Sequence, residues 1–325
     1  MQYTYLGKSG LKVSRLCLGT MNFGTQTEEK DAFKIMDAAL DAGINFFDTA
    51  NVYGGAEDRK GLTEEILGRW FKQGGGRREK VVLATKVYGN MNNELDGPND
   101  ARGLSGYKIR RSFEASLKRL QTDHVELYQM HHIDRNVGWD ELWGAFESLV
   151  QQGKVDYIGS SNFAGWHIAL AQAAAKERHF QGLVSEQHLY NLLQRTPELE
   201  VIPSAEHHGL GVIPWSPLAS GLLGRNALAG TGKRSKKAEE IEKYRTQLEQ
   251  FASLCQELGE AQDVVALAWV LSNKAITAPI IGPRTLEQLE GSLRVVDVVL
   301  TEEVLAKLNE IFPGPGRPAP EAYSW

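Results

Sequence analysis

The chain has 325 residues, 42% of them hydrophobic and 24% charged, which excludes a disordered or fibrous chain and fits one large globular domain or two ordinary ones. Lysine and arginine number 36 against 41 acidic residues, and the formal charge of −5 gives no pull toward nucleic acid or an anionic membrane. Two cysteines, Cys17 and Cys255, cannot build a disulfide framework and have no metal-type spacing, so a reducing, cytoplasmic setting is expected.

"MQYTYLGKSG" lacks a basic segment followed by an apolar one, so no secretory leader is expected. Alternation on both sides of Gly7–Gly10 predicts a hairpin, because small residues supply the turn. "RLCLG" then reads as a strand, with Cys17 as a buried structural thiol. A helix is expected over 28–42, with Thr27 as its cap, Phe33, Met36 and Leu40 at helical spacing, and Gly43 as its stop. The alternation then repeats. "INFFD", "KVVLATK", "HVELYQMHH", "VDYIGSSN", "GLVSEQ", "LGVIPWS" and "ITAPIIG" read as strands. "TEEILGRWF", "YKIRRSFEASLKRL", "WDELWGAFESLVQQG", "WHIALAQAAAKE", part of "PELEVIPSAEHHG", a stretch through 238–273 and "TLEQLEGSL" read as helices. The strands are short and apolar on both faces, as parallel strands covered by helices are. Eight strand–helix units without an evident linker predict one (β/α)8 barrel over residues 1–325, and not an open doubly wound sheet. The apolar run at 264–271 is far shorter than the ~20 residues a membrane span needs.

Polar groups gather where these apolar runs end. In chain order they are Gly19, Thr20 and Met21; Asp48 with Tyr53 in the next loop; Lys86; His131 and His132; Ser160, Ser161 and Asn162; Gln187; Trp215 and Ser216; Gly282 and Arg284. In a barrel the C-terminal strand ends form a single rim, where barrel enzymes keep their sites. Asp48 and Lys86 end adjacent strands and can pair, which buried ions require. A lysine ammonium beside the Tyr53 phenol favours phenolate and is expected to lower its pKa toward neutrality. Such a phenol can act as a general acid, and His131 can polarise a substrate oxygen. That set suits carbonyl reduction, with the hydride coming from a cofactor.

"FFDTANVYG", "ATKV", "LYQMHHID", "GSSNF", "SEQHLYN", "WSPLASG" and "IIGPRTLEQL" resemble aldo-keto reductase motifs in order and spacing along essentially the whole chain. The resemblance implies a (β/α)8 barrel with an N-terminal hairpin and NADPH as cofactor. It implies Tyr53 as general acid, with Asp48, Lys86 and His131 completing a tetrad. Ser161, Asn162 and Gln187 would hold the nicotinamide carboxamide, with Trp215 stacked on the ring. Ser216, Pro217, Leu218 and Ser220 would follow the pyrophosphate. Gly282, Arg284 and Gln288 would lie at the adenosine 2′-phosphate, with Ser292 near the adenine, where many relatives carry Asn. Gly19, Thr20, Met21 and Asp48 join the candidate cofactor contacts. Tyr53, Tyr88, His131 and His132 are the candidate substrate contacts. "LGTMNFG", "LDGPND" and the tail "APEAYSW" are similar to bacterial reductases of nucleotide-linked deoxysugar biosynthesis, which act on keto-deoxyhexose intermediates; the tail is expected near the barrel mouth. Other proteins of this fold serve as cofactor-sensing subunits of membrane channels, the alternative reading.

Competing readings of single features are plain. His131–His132 suggests a metal pair, but neighbours on a strand point to opposite faces and no third ligand is evident. His207–His208 suits a helix C-terminus. "GTMNFG" lacks the dinucleotide-binding glycine spacing, and "GLSGYK" lacks that of a phosphate loop. Trp70, Trp139, Trp143 and Trp166 fit helix packing, and Arg284 can equally be a local cap. The basic cluster "GTGKRSKKAEE" at 230–240 reads as a solvated loop or as a lid over an anionic ligand.

Overall fold

The structure, a computed structural model, describes residues 1–55, 59–225, 227–228 and 238–320. The expected hairpin is present. Strand β1 (Tyr3–Tyr5) pairs antiparallel with β2 (Lys12–Ser14), Tyr3 opposite Ser14. Among the described residues eight further strands form one parallel sheet: β3 (Cys17–Gly19), β4 (Phe46–Asp48), β5 (Val82–Val87), β6 (Val125–Met130), β7 (Val155–Ser161), β8 (Leu183–Leu189), β9 (Gly211–Trp215) and β10 (Ile280–Ile281). They hydrogen-bond in the order β10-β3-β4-β5-β6-β7-β8-β9. The ring closes where Val212 of β9 bridges Ile276 and the Thr277 N–H donates to the Val212 carbonyl at 2.8 Å.

Helices α1 (Glu29–Asp41), α2 (Leu62–Phe71), α3 (Gly106–Leu120), α4 (Trp139–Gln151), α5 (Gly165–Glu177) and α6 (Val201–His208) follow β3 to β8 in turn. After β9 come α7 (Ala238–Lys243), α8 (Arg245–Leu258) and α9 (Gln262–Ser272); after β10 come α10 (Leu286–Leu293) and α11 (Glu302–Ile311). The result is a (β/α)8 TIM barrel with a separate N-terminal hairpin. No helix among the described residues is long and apolar enough to cross a membrane.

Packing explains which end of the barrel is open. The inward side chains Cys17, Phe46, Ala84, Leu127, Val184, Ile213 and Ala278 form one buried cluster with Leu6 and Val13 of the hairpin. The hairpin therefore plugs the N-terminal end, and burying a side chain such as Leu6 stabilises by about 1.5–3 kcal/mol. Alternate residues, among them Phe47, Leu83 and Tyr128, face outward into the layer shared with the helices. Strand period two then places Asp48, Lys86 and Gln129 one step above Phe46, Ala84 and Leu127 on the inner face.

Some expectations are revised. Glu28, not Thr27, is the N-cap of α1, and the Thr27 hydroxyl instead donates to the Arg284 carbonyl at 3.2 Å. The last strand is only two residues long, and the sequence reading had no counterpart for α11. Trp70 and Trp143 are fully buried as packing residues, whereas Trp166 is exposed. His207 and His208 do occupy the last turn of α6. Cys17 is buried and its thiol is pushed well up, by burial first and then by Asp48, so it is not a thiolate. The C-terminal tail docks on the segment between β8 and α6, where the Ala319 N–H donates to the Leu199 carbonyl. Most of the basic cluster at 230–240 and the last five residues of the tail lie outside the described residues.

Candidate active site

Strand β4 ends at Asp48, and the chain turns over the rim. The Thr49 N–H donates to the Ala84 carbonyl and the Asn51 N–H to the Lys86 carbonyl, which ties this loop to β5. The Tyr53 carbonyl accepts N–H groups from Gly61 and Thr63 at the start of α2. Gly54 follows at φ +148°, and a Cβ there would sit 2.0 Å from the Arg59 carbonyl oxygen, so no side chain fits. The glycine that closes "DTANVYG" thus holds Tyr53 in place.

Lys86 lies at the centre of the rim and is fully buried. Its ammonium has three N–H groups, and all three are engaged: with Asp48 Oδ1 at 2.5 Å, the Thr49 carbonyl at 2.8 Å and Tyr53 Oη at 3.2 Å. Burial alone would lower the Lys86 ammonium, but Asp48 and Tyr53 outweigh it and hold it above an ordinary lysine. Because Lys86 donates to Tyr53 Oη, the phenol keeps its own proton to donate elsewhere.

The expected fall in the Tyr53 pKa is not what the surroundings produce. Desolvation of the phenol raises it, the Lys86 ammonium pulls the other way, and the net direction is upward. Tyr53 is half-buried as a residue, and its surroundings are dense enough to desolvate the phenol. At neutral pH the group is therefore a protonated acid.

His131 stands edge-on to Tyr53, with ring centroids 5.9 Å apart. Burial first, then Lys86 and His132, hold its imidazole well below the usual histidine range, so it is neutral. The prediction that His131 and His132 face opposite ways fails, because β6 stops at Met130. Their rings stack at 5.2 Å with 9° between planes, and Tyr88 meets His132 edge-on at 5.1 Å. Tyr53, His131, His132 and Tyr88 thus form one continuous run of ring contacts.

The candidate cofactor residues divide in two. Gln187 is buried and donates to Asp48 Oδ2 at 2.9 Å. Asn162, at φ +61°, donates to the His131 carbonyl and Ser161 Oγ and accepts from Trp215 Nε1 at 3.1 Å. These four residues form one polar wall. After β9 the chain holds Ser216, Ala219 and Ser220 in the left-handed region, with the Ser220 N–H donating to Ser216 Oγ. Non-glycine residues at positive φ cost energy and mark backbone held for a purpose. Pro217 is buried and Leu218 half-buried there. Arg284 is half-exposed, and its guanidinium donates to Gln26 Oε1 at 3.4 Å.

Most of the other candidates also make local contacts. Thr20 is fully buried and donates to the Asp48 carbonyl; a Cβ on Gly19 would sit 2.4 Å from Ile280 Cγ2, so that glycine serves the β3–β10 contact. Ser292 turns its hydroxyl back to the Gln288 carbonyl, and Gln288 Oε1 accepts the Arg284 N–H at the head of α10. Gly282 accepts through its carbonyl from Asn22, and Met21 is exposed.

The aldo/keto reductase family model matches residues 15–312. The chain belongs to that family. The reductase is 65% identical to an uncharacterized oxidoreductase, YrpG, of Bacillus subtilis (strain 168), over all of both chains. It is 34% identical to a probable voltage-gated potassium channel subunit beta of Arabidopsis thaliana, over 99% of this chain and 100% of the other. It is 30% identical to versiconal hemiacetal acetate reductase of Aspergillus parasiticus, over 95% of this chain and 96% of that one. It is accordingly an oxidoreductase of the aldo-keto reductase type, a family that generally uses NADP(H).

One residue of the reductase's rim escaped the sequence reading. Gln129 on β6 is fully buried and donates to Asp48 Oδ2 at 3.0 Å. Its signal was a lone amide two places after Leu127 in an otherwise apolar inner face.

Proposed function

We propose that the protein reduces a carbonyl group with NADPH, and that residues 1–325 act as one cytoplasmic catalytic barrel. The observation that carries this is the triple engagement of Lys86, which leaves the Tyr53 O–H free to donate. NADPH would supply the hydride. Tyr53 would deliver the proton to the oxygen, neutral His131 would donate to the same oxygen, and the Asp48–Lys86 pair would hold the phenol in position. Several groups suit that cofactor: the Gln187–Asn162 wall suits its carboxamide, Trp215 its ring, the strained backbone at 216–220 its pyrophosphate, and Arg284 a 2′-phosphate.

The substrate we favour is a nucleotide-linked keto-deoxysugar. None of the three relatives above is named for such a sugar, so this part rests on the quoted motifs and on the loop after β5. Asp100 accepts N–H groups from Met91 and Asn93, Lys108 Nζ donates to the Asp100 and Ala101 carbonyls, and Asp96 accepts from Arg111. That loop, which contains "LDGPND", is therefore tied down internally and would wall a large pocket. Tyr88 and His132 offer polar edges to a sugar. NADPH oxidation against a carbonyl panel tests both levels. A ketosugar should exceed simple benzaldehydes in kcat/KM by at least about a hundredfold, because remote binding energy is expressed at the transition state. Equal efficiency would leave a general carbonyl reductase. The likeness to the channel subunit supports a second reading, a dinucleotide sensor with little turnover, and tight NADPH binding with no turnover on any panel member would favour it.

A further inference from the structure

Both oxygens of Asp48 are accounted for, and Gln129 stands in the middle of the account. Oδ1 accepts from Lys86, while Oδ2 accepts from Gln129 Nε2 at 3.0 Å and from Gln187 Nε2 at 2.9 Å. The second N–H of Gln187 reaches Gln129 Oε1 at 3.3 Å. A carboxylate only accepts, so both amides turn their nitrogens toward it. That fixes Gln129 Oε1 toward Gln187. With both its N–H groups engaged, Gln187 has only its carbonyl oxygen to offer a ligand.

We infer that Gln129 is a positioning residue that makes Gln187 an obligate hydrogen-bond acceptor toward the cofactor and braces Asp48 beneath Lys86. The inference rests on the NADPH reading above. It also explains a buried amide on the inner face of an apolar strand, whose polar atoms require partners. The dinucleotide portion recognised is one carrying an N–H donor, a carboxamide, and not a ketone of the same shape.

The first readout compares two oxidised dinucleotides by quenching of tryptophan fluorescence, without turnover, and the second is the pH profile of kcat. One is NADP+; the other is its 3-acetylpyridine analogue, which carries a methyl ketone in place of the carboxamide. Wild type should bind NADP+ at least about fivefold more tightly, since the analogue leaves a buried acceptor unmatched. Gln129→Met keeps the volume and removes both polar contacts. It frees one N–H of Gln187 to turn toward the ketone, so the ratio should fall to within about twofold. Gln129→Glu keeps an acceptor for Gln187 and should keep the ratio. It also places a second carboxylate against Asp48, and two such groups share a proton. Its kcat should therefore acquire a new limb, rising as pH falls.

A ratio unchanged in Gln129→Met overturns the proposal, as does a wild type that binds both dinucleotides equally. If circular dichroism shows that Gln129→Met does not fold, Gln129→Glu decides: loss of the ratio, or no new acid limb, overturns it. A wild type that binds neither dinucleotide overturns the NADPH reading together with it.

Discussion

Lys86 shows how one side chain couples structure to reactivity. Its three donors stitch β4, the following loop and Tyr53 into one unit, with no hydrogen to spare. Tyr53→Phe removes the acid while leaving the packing, so kcat should fall by roughly 10²–10⁴-fold with NADPH binding within a few-fold. Near-normal kcat would remove Tyr53 from the mechanism. Lys86→Met removes the one group that pulls the Tyr53 phenol downward against burial. Its phenol should then titrate at higher pH. Alcohol oxidation needs phenolate as base, so its rise with pH should move upward in the mutant, while reduction keeps its protonated acid across neutral pH. An unchanged profile would contradict the coupling. The sequence made the Asp48–Lys86 pair legible, because adjacent strand ends are neighbours in any barrel. It misjudged the direction of the Tyr53 shift, because depth of burial is a property of the assembled rim. Gln129 was missed for a related reason: one amide in an apolar strand acquires meaning only from the carboxylate across the barrel.

At the scale of elements, strand–helix alternation revealed the architecture, since period two and period 3.6 stand side by side along the chain. The end of the chain was less legible. Strand β10 is too short to show a period, although Thr301 ahead of "EEVLAKLNEI" is a usable start signal and does cap α11 by accepting the Val304 N–H. Loops were read through residue types alone, and Ser292 and Gln288 also serve α10 locally, through the Ser292 hydroxyl on the Gln288 carbonyl and the Arg284 N–H on Gln288 Oε1. Arg284 lies in the loop between β10 and α10, half-exposed, with its guanidinium on Gln26 Oε1 at 3.4 Å. Arg284→Ala should weaken NADPH binding by about one to two decades, the value of charge-assisted hydrogen bonds to a phosphate, and leave NADH almost unchanged. Equal losses for both cofactors, measured by fluorescence titration, would make Arg284 a general support of the loop.

For the whole molecule, the modest negative charge and the ring of strands are generic, and the reactive part is a thin layer one residue above the apolar filling. The hairpin beneath that filling has a kinetic meaning. With Leu6 and Val13 sealing the floor, the barrel is a cul-de-sac, so anything that binds against Gln187 and anything that binds against Tyr88 and His132 should both enter from the rim. Two visitors with one doorway queue. On the proposed reading the dinucleotide lies against Gln187, and it should arrive first and depart last. Product-inhibition patterns would reveal the queue: NADP+ should compete with NADPH, whereas the alcohol product should not. A random order would mean that the two berths open to solvent independently.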